Sequence, residues 1–165
     1  MNKLNSVIKK IRLLIAFFII MLLLSGLTAF PVHTELKYFL SLNLVNNESM
    51  TGQWLHEVFN GVNTVRESYP FLFYGYDWLA FAHIMIAILF TGVYKNPVRN
   101  IWIMEWGMIC CISIFPLAFI CGPIRGIPFF HILIDCSFGV FGFILLWWCY
   151  TLIKKLQLLD TMYNQ

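Results

Sequence analysis

Charge is what this sequence is shortest of. Only 12% of its 165 residues are Asp, Glu, Lys or Arg, against 60% hydrophobic, and the mean hydropathy is +0.77. So few charges cannot cover a water-soluble domain, and the solvent that this composition implies is a lipid bilayer. The motifs that announce chemistry are missing as well: there is no phosphate-binding glycine loop, no nucleophile elbow and no His-Glu-x-x-His metal motif. The GPIRGIP stretch at 122–128 is glycine-rich only as a turn. The long hydrophilic stretch carries no cysteine. All five, Cys110, Cys111, Cys121, Cys136 and Cys149, lie in or beside apolar runs, which excludes a disulfide framework and a zinc site.

The cysteines also argue against a quinone-linked disulfide oxidoreductase, a class that includes small four-span proteins. That chemistry needs paired reactive thiols on the outer side. Only Cys121 and Cys136 approach that side, and they form no Cys-x-x-Cys pair; Cys110-Cys111 falls in mid-span, where a thiol is an inert small residue.

What the sequence has in abundance is apolar length. A membrane-spanning helix needs roughly 20 apolar residues, and windows of that size fit 11–30, 77–94, 101–121 and 129–153. Trp78, Tyr94, Trp102, Trp106, Trp147, Trp148 and Tyr150 recur near the ends of these runs, where interfacial aromatic belts lie.

The formal charge of +3 does not mark a nucleic-acid surface, because the basic residues form short clusters beside apolar runs. Lys3, Lys9, Lys10 and Arg12 precede the first span, Lys95 and Arg99 lie between the second and third, and Lys154 and Lys155 follow the fourth. Positive charge therefore marks alternate ends of successive spans, which predicts both termini on the cytoplasmic side. The loop at 31–76 then lies outside. Lys37, Arg66 and Arg125 fall on that side too, among Glu35, Glu48, Glu57, Glu67 and Asp77. A competing reading makes the first run a cleaved signal peptide, on its basic start, the apolar stretch 13–24 and the small residues Ser25, Gly26 and Ala29. Continuation of the run to Phe30, and Leu27 as a poor partner for Ala29 in a small-x-small site, favour a retained anchor.

The outer loop is too long for a plain connector. Thr34 is placed to cap a short helix through Leu40. Trp54, Leu55, Val58, Phe59, Val62 and Val65 recur at helical spacing, with His56, Glu57, Asn60 and Asn63 between them, which predicts a helix with one apolar face lying on the membrane surface or over the helix ends. The other connections are tight turns, so the second to fourth spans are expected to be sequential antiparallel neighbours. No internal repeat, low-complexity tract or linker divides the chain, and 1–165 reads as a single transmembrane domain.

Ionisable side chains inside a span cost roughly several kcal/mol unless paired or hydrated, so His83, Glu105, His131 and Asp135 are where a functional reading begins. His131 and Asp135 share one helix face, continued by Gly139, Gly142 and Cys149; Ala80, His83, Ala87 and Thr91 form a second stripe of the same kind. At about 1.5 Å of rise per residue, His83 and Asp135 lie at comparable depths, near enough for the two stripes to bring them together. With Arg125 and Asp77 they form a candidate outer cluster of Asp77, His83, Arg125, His131 and Asp135. Its structural reading is a polar network that fixes helix register. Its functional readings are proton relay, quinone binding, or haem ligation by His83 and His131; the haem case is weakened by His131 lying about one turn nearer the surface. Glu105, about one turn inside the third span, is expected to reach the interface or pair with Lys95 or Arg99. Pro116 is expected to kink that span.

The strings YPFLFYGYDWLAFAHI, NPVRNIWIMEWG and GPIRGIPFFHILIDCSFGVFG resemble those of a family of small bacterial multi-span membrane proteins, over most of 31–147. The resemblance implies a shared architecture and residence in the bacterial inner membrane, and it carries over no activity, cofactor or site residue.

The expected fold is an all-α, integral-membrane, antiparallel four-helix bundle with a partly helical outer loop. The leading functional expectation is an accessory or interaction subunit, not an enzyme, with the lipid bilayer and a membrane-protein partner or second copy as its contacts. The runner-up is a redox or proton-handling module that binds quinone or haem. An oligomeric channel or carrier is a third.

Overall fold

The computed structural model describes residues 2–163 and, of the orientation charges named above, leaves the side chain of Lys3 outside the described ones. Its elements are α1 (Asn2–Ala29), α2 (Val32–Ser41), α3 (Met50–Ser68), a 3-10 turn (Pro70–Phe73), α4 (Tyr74–Lys95), α5 (Ile101–Ile124) and α6 (Phe129–Tyr163), with no strand among the described residues. Four helices are long and apolar enough to cross a membrane: α1, α4 with the turn before it, α5 and α6. Contacts divide the chain into two units. One takes in the chain up to Ile20 and from Ala87 onward, the other runs Met21–Ile86, and α1 and α4 pass through both.

The ends of the long helices depart from the apolar windows in informative ways. α6 has 35 residues, about 52 Å at the helical rise, so it extends well past a hydrocarbon core roughly 30 Å thick. Lys154 and Lys155 do not stop it, because lysine is a good helix former and Ile153 and Leu156 continue the buried stripe around them. α5 runs through Pro116 and Pro123 and closes on a left-handed glycine. Gly126, at φ +71°, donates its N–H to the Pro123 carbonyl while Ile127 donates to the Gly122 carbonyl, which satisfies two of the helix's orphan acceptors. The N–H groups of His131 and Ile132 then bond back to the Pro128 carbonyl and start α6.

Within the first unit α5 and α6 form an antiparallel hairpin whose closeness is set by missing side chains. A Cβ on Gly139 would lie 2.8 Å from the Cys111 carbonyl oxygen, one on Gly142 2.9 Å from the Cys111 sulfur, and one on Gly122 2.7 Å from Ile132. The small stripe of α6 predicted to face other helices thus faces α5 at Gly139 and Gly142, its Cys149 is buried, and Cys136 is buried beside it. Gly107 of α5 admits two neighbours: Phe90 of α4 and Leu146 of α6 both come within 2.9 Å of where its Cβ would sit. Phe90 is fully buried and meets Phe18 of α1 with ring centroids 4.8 Å apart, while Val7, Ile11 and Ile15 bury successive turns of α1.

The 96–100 connection is held by side chains. Asn100 donates through Nδ2 to the carbonyls of Gly92 and Asn96, and the Arg99 N–H bonds to Asn96 Oδ1, so the last turn of α4 and the start of α5 are tied into one rigid corner.

In the second unit the stretch read as a loop is mostly helix. α2 starts at Val32, its first turn closed by the Glu35 N–H on the Pro31 carbonyl, so Thr34 lies inside the helix and caps nothing. Asn43, at φ +49°, ends it in the left-handed conformation that asparagine tolerates. α3 contains the predicted apolar face. Ser49 is its N-cap and accepts from the Gly52 N–H at 3.1 Å, and Gly52 must lack a side chain because the Asn46 carbonyl lies against it. Gly26 of α1 sits against α4 the same way: its Cβ would lie 2.9 Å from the Ala80 carbonyl oxygen and 3.0 Å from the His83 Cβ.

The glycine contacts predict a contrast between two chemically identical substitutions. Gly139→Ala forces a methyl group onto a backbone oxygen and should cost about 1–3 kcal/mol. Gly61→Ala, in mid-α3 with nothing within 4 Å of the new Cβ, should stabilise by about 0.5–1 kcal/mol. Thermal melts of the detergent-solubilised chain, followed at the helical circular-dichroism band, should move in opposite directions.

Candidate functional site

The cluster expected from the sequence is distributed over two helices and one connection. Asp77 and His83 lie on α4 in the second unit; in the first, Arg125 lies at the α5–α6 connection and His131 and Asp135 on α6. Each has a local reason for its place. Asp77 falls in the first turn of α4, where a carboxylate complements the positive end of the helix dipole. Arg125 follows the last residue of α5, the end that favours a cation.

His83 is fixed by its own helix. Its Nδ1 lies 2.8 Å from the Leu79 carbonyl oxygen. A carbonyl only accepts, so Nδ1 carries the proton and Nε2 is the nitrogen left to accept a hydrogen bond or to ligate a metal. Within the second unit the stripe that carries His83 meets α1 at Ala80 and His83, where Gly26 approaches.

The structure brings together His131 and Asp135. His131 Nε2 lies 3.9 Å from Asp135 Oδ1 across one turn of α6, with the side chains 40% and 48% exposed. That separation is an ion-pair distance, too long for a direct hydrogen bond. The pair can hold or pass a proton. It fits haem iron less well, because the His131 Nε2 that would bind the metal points toward a carboxylate. His83, with Nδ1 donating to a carbonyl and Nε2 available, has the arrangement usual for a metal-ligating histidine. Among the described residues no three His, Cys, Asp or Glu side chains gather into a metal site.

Glu105 takes a partner other than the lysine or arginine expected for it. The Tyr150 hydroxyl donates to Glu105 Oε1 at 3.2 Å, joining α6 to α5, and the Lys154 ammonium lies 5.4 Å from the centre of the Tyr150 ring. Lysine, tyrosine and carboxylate thus form one series across the hairpin, continued along α6 by the stacked rings of Trp147 and Phe143.

A second polar group escaped the sequence reading. Arg66 donates to His33 Nδ1 at 2.6 Å, His33 Nε2 donates to Asn63 Oδ1 at 3.0 Å, and Asn63 Nδ2 donates to Glu67 Oε1 at 2.9 Å. This chain ties α2 to α3 and runs from cation to carboxylate in one direction, with the His33 ring stacked on Phe59 at 5.5 Å. It requires a neutral His33, since a doubly protonated ring has no lone pair for Arg66. The only trace of it in the sequence is the spacing of Asn63, Arg66 and Glu67 along one side of α3; the partner is about thirty residues away.

No family model, no curated protein and no solved structure matches the chain.

The Arg66-His33-Asn63-Glu67 chain generates a test. Asn63→Leu removes both central hydrogen bonds and strands His33 and Glu67, which should loosen α2 from α3 by about 1–3 kcal/mol. Limited proteolysis should then cut within 42–49 several times faster than in the wild type, while fragments from α5 and α6 appear at unchanged rates.

Proposed function

We propose that the chain is a four-span protein of the bacterial inner membrane, an antiparallel bundle with both termini cytoplasmic and α2–α3 on the outer side, and that it works as an accessory or interaction subunit and not as an enzyme. Its basic residues support this orientation, since they mark alternate ends of successive spans. The observation that carries the interaction reading is a shallow, wholly apolar hollow of about 220 Å³ on the α5–α6 hairpin, lined by Ile112, Phe115, Gly139, Val140, Phe143 and Ile144. Lipid offers no hydrophobic drive for helix association, so helices in membranes join where small residues let backbones approach and side chains interlock. A hollow beside Gly139 with no polar wall suits an apolar helix of a membrane-protein partner or of a second copy. It offers nothing to orient a quinone ring or to ligate iron.

A photo-crosslinking amino acid at Ile144 should give a discrete adduct in native membranes, and the same probe at the exposed Leu117, away from the hollow, should give none. The adduct mass separates a partner from a second copy. A tagged chain that purifies alone, without an adduct at Ile144, would overturn the proposal.

A second reading is favoured by one observation, the His131–Asp135 pair within a span. It makes the chain a redox or proton-handling module that uses His83, His131 and Asp135 with quinone or haem. A reduced-minus-oxidised visible spectrum of the purified chain tests the haem version: a Soret band lost in His83→Ala supports it and a featureless spectrum ends it. Quinone-free extracts end the quinone version. The proton version fails if Asp135→Asn leaves proton movement in reconstituted vesicles unchanged.

A further inference from the structure

At the end of the first unit opposite the α5–α6 turn, a hollow of about 460 Å³ opens between the start of α1, the 96–100 corner and α6. Its walls divide by chemistry. Arg12, Lys95 and Arg99 supply three cations, while Leu4, Ile8 and Leu156 supply an apolar floor, and no carboxylate lines it among the described residues. Leu4, Ile8 and Arg12 follow one another at four-residue intervals and share one face of α1.

One cation is held by its side chain and two by the backbone that carries them. Arg12 donates through Nε to the Tyr94 carbonyl at 3.3 Å and lies over the Tyr94 ring, 5.7 Å from its centre, so the guanidinium is anchored with its remaining donors still to be used. Arg99 lies within the 96–100 corner and Lys95 just before it, so side-chain hydrogen bonds fix the backbone that carries them while their exposed side chains stay free to reach a ligand. Three cations around a hollow that no carboxylate lines among the described residues favour an anion, and an apolar floor beside them favours one that carries an apolar part.

We propose that this hollow binds the phosphate headgroup of an anionic phospholipid, with Arg12, Lys95 and Arg99 around the phosphodiester and Leu4, Ile8 and Leu156 against the glycerol and the first acyl carbons. The inference rests on the membrane reading above, which sets this basic end in the cytoplasmic headgroup layer, and it adds to the topological role of these charges a specific ligand. A zwitterionic headgroup carries the same phosphate with no net charge, so the site discriminates by charge as well as by shape.

The full-length chain in neutral detergent, melted with phosphatidylglycerol, with phosphatidylcholine or with inorganic phosphate alone, tests this. Phosphatidylglycerol should raise the midpoint by several degrees over phosphatidylcholine, and phosphate alone should not. The Lys95→Gln/Arg99→Gln variant should lose the difference, whereas Lys9→Gln/Lys10→Gln, which removes two exposed charges from the same end, should keep it. Equal shifts with both lipids, a full shift with phosphate alone, or a difference that survives Lys95→Gln/Arg99→Gln would overturn the proposal. Native mass spectrometry of the wild-type chain from mixed-lipid nanodiscs decides without any variant: retained phosphatidylglycerol should exceed phosphatidylcholine by about tenfold, and equal retention refutes the site. Failure of the membrane reading itself shows separately, as release of the chain from membranes by alkaline carbonate.

Discussion

Phe90 and Leu146 reach from two different helices to the same point, the vacant Cβ position of Gly107, and the arrangement of the first unit follows from the fact that nothing is there. In the proposed membrane setting, helices gain little by turning their apolar faces toward each other, and what holds them is dispersion between surfaces that fit closely. Gly107, Gly139 and Gly142 let α4, α5 and α6 approach to distances that a side chain at those positions would forbid, and the fully buried Phe90 fills the space so created. In the second unit Gly26 lets α1 approach α4 at Ala80 and His83 in the same way.

Once the helices are this close, the few polar side chains must find partners at short range or at helix ends. Tyr150 finds Glu105 across the hairpin, His83 turns back on its own helix to the Leu79 carbonyl, and His131 lies beside Asp135 one turn along. The helices α2 and α3 are organised differently, by a directed hydrogen-bond chain from Arg66 to Glu67 through His33 and Asn63. In the first unit the cations Arg12, Lys95 and Arg99 surround a hollow that no carboxylate lines among the described residues. That contrast separates them from the polar groups whose role the fold already accounts for.

Much of the helical framework is legible in the amino-acid order. The apolar windows at 77–94 and 101–121 lie within one turn of α4 and α5, and the six apolar residues spaced along 54–65 occupy the half-buried face of α3. The misplaced boundaries were judged from hydropathy or, at Thr34, from capping preference, when backbone hydrogen bonding decides them. α1 begins near the N-terminus among its lysines, α6 continues past Lys154 and Lys155, and α2 starts before Thr34. The candidate cluster was legible only one residue at a time. His131 with Asp135 follows from a four-residue spacing, but the partner of Glu105 and the His33 chain join residues 45 and about 30 positions apart, which no local period records.

What the order of residues determines by itself is whatever depends on neighbours along one helix. It places four long apolar helices, the basic clusters at their ends, the small-residue stripes, and the glycine at 126 that lets α5 stop and α6 begin. What only the tertiary structure decides is which stripe meets which. His83 and Ala80 meet Gly26, Gly139 meets the Cys111 carbonyl, and Arg12 stands with Lys95 and Arg99 around a common hollow although the chain separates it from them by more than eighty residues. The reason is physical. An apolar face is compatible with any other apolar face, so pattern alone leaves the pairing degenerate, and the choice is made by shape complementarity at a few glycines that exists only after the helices have come together.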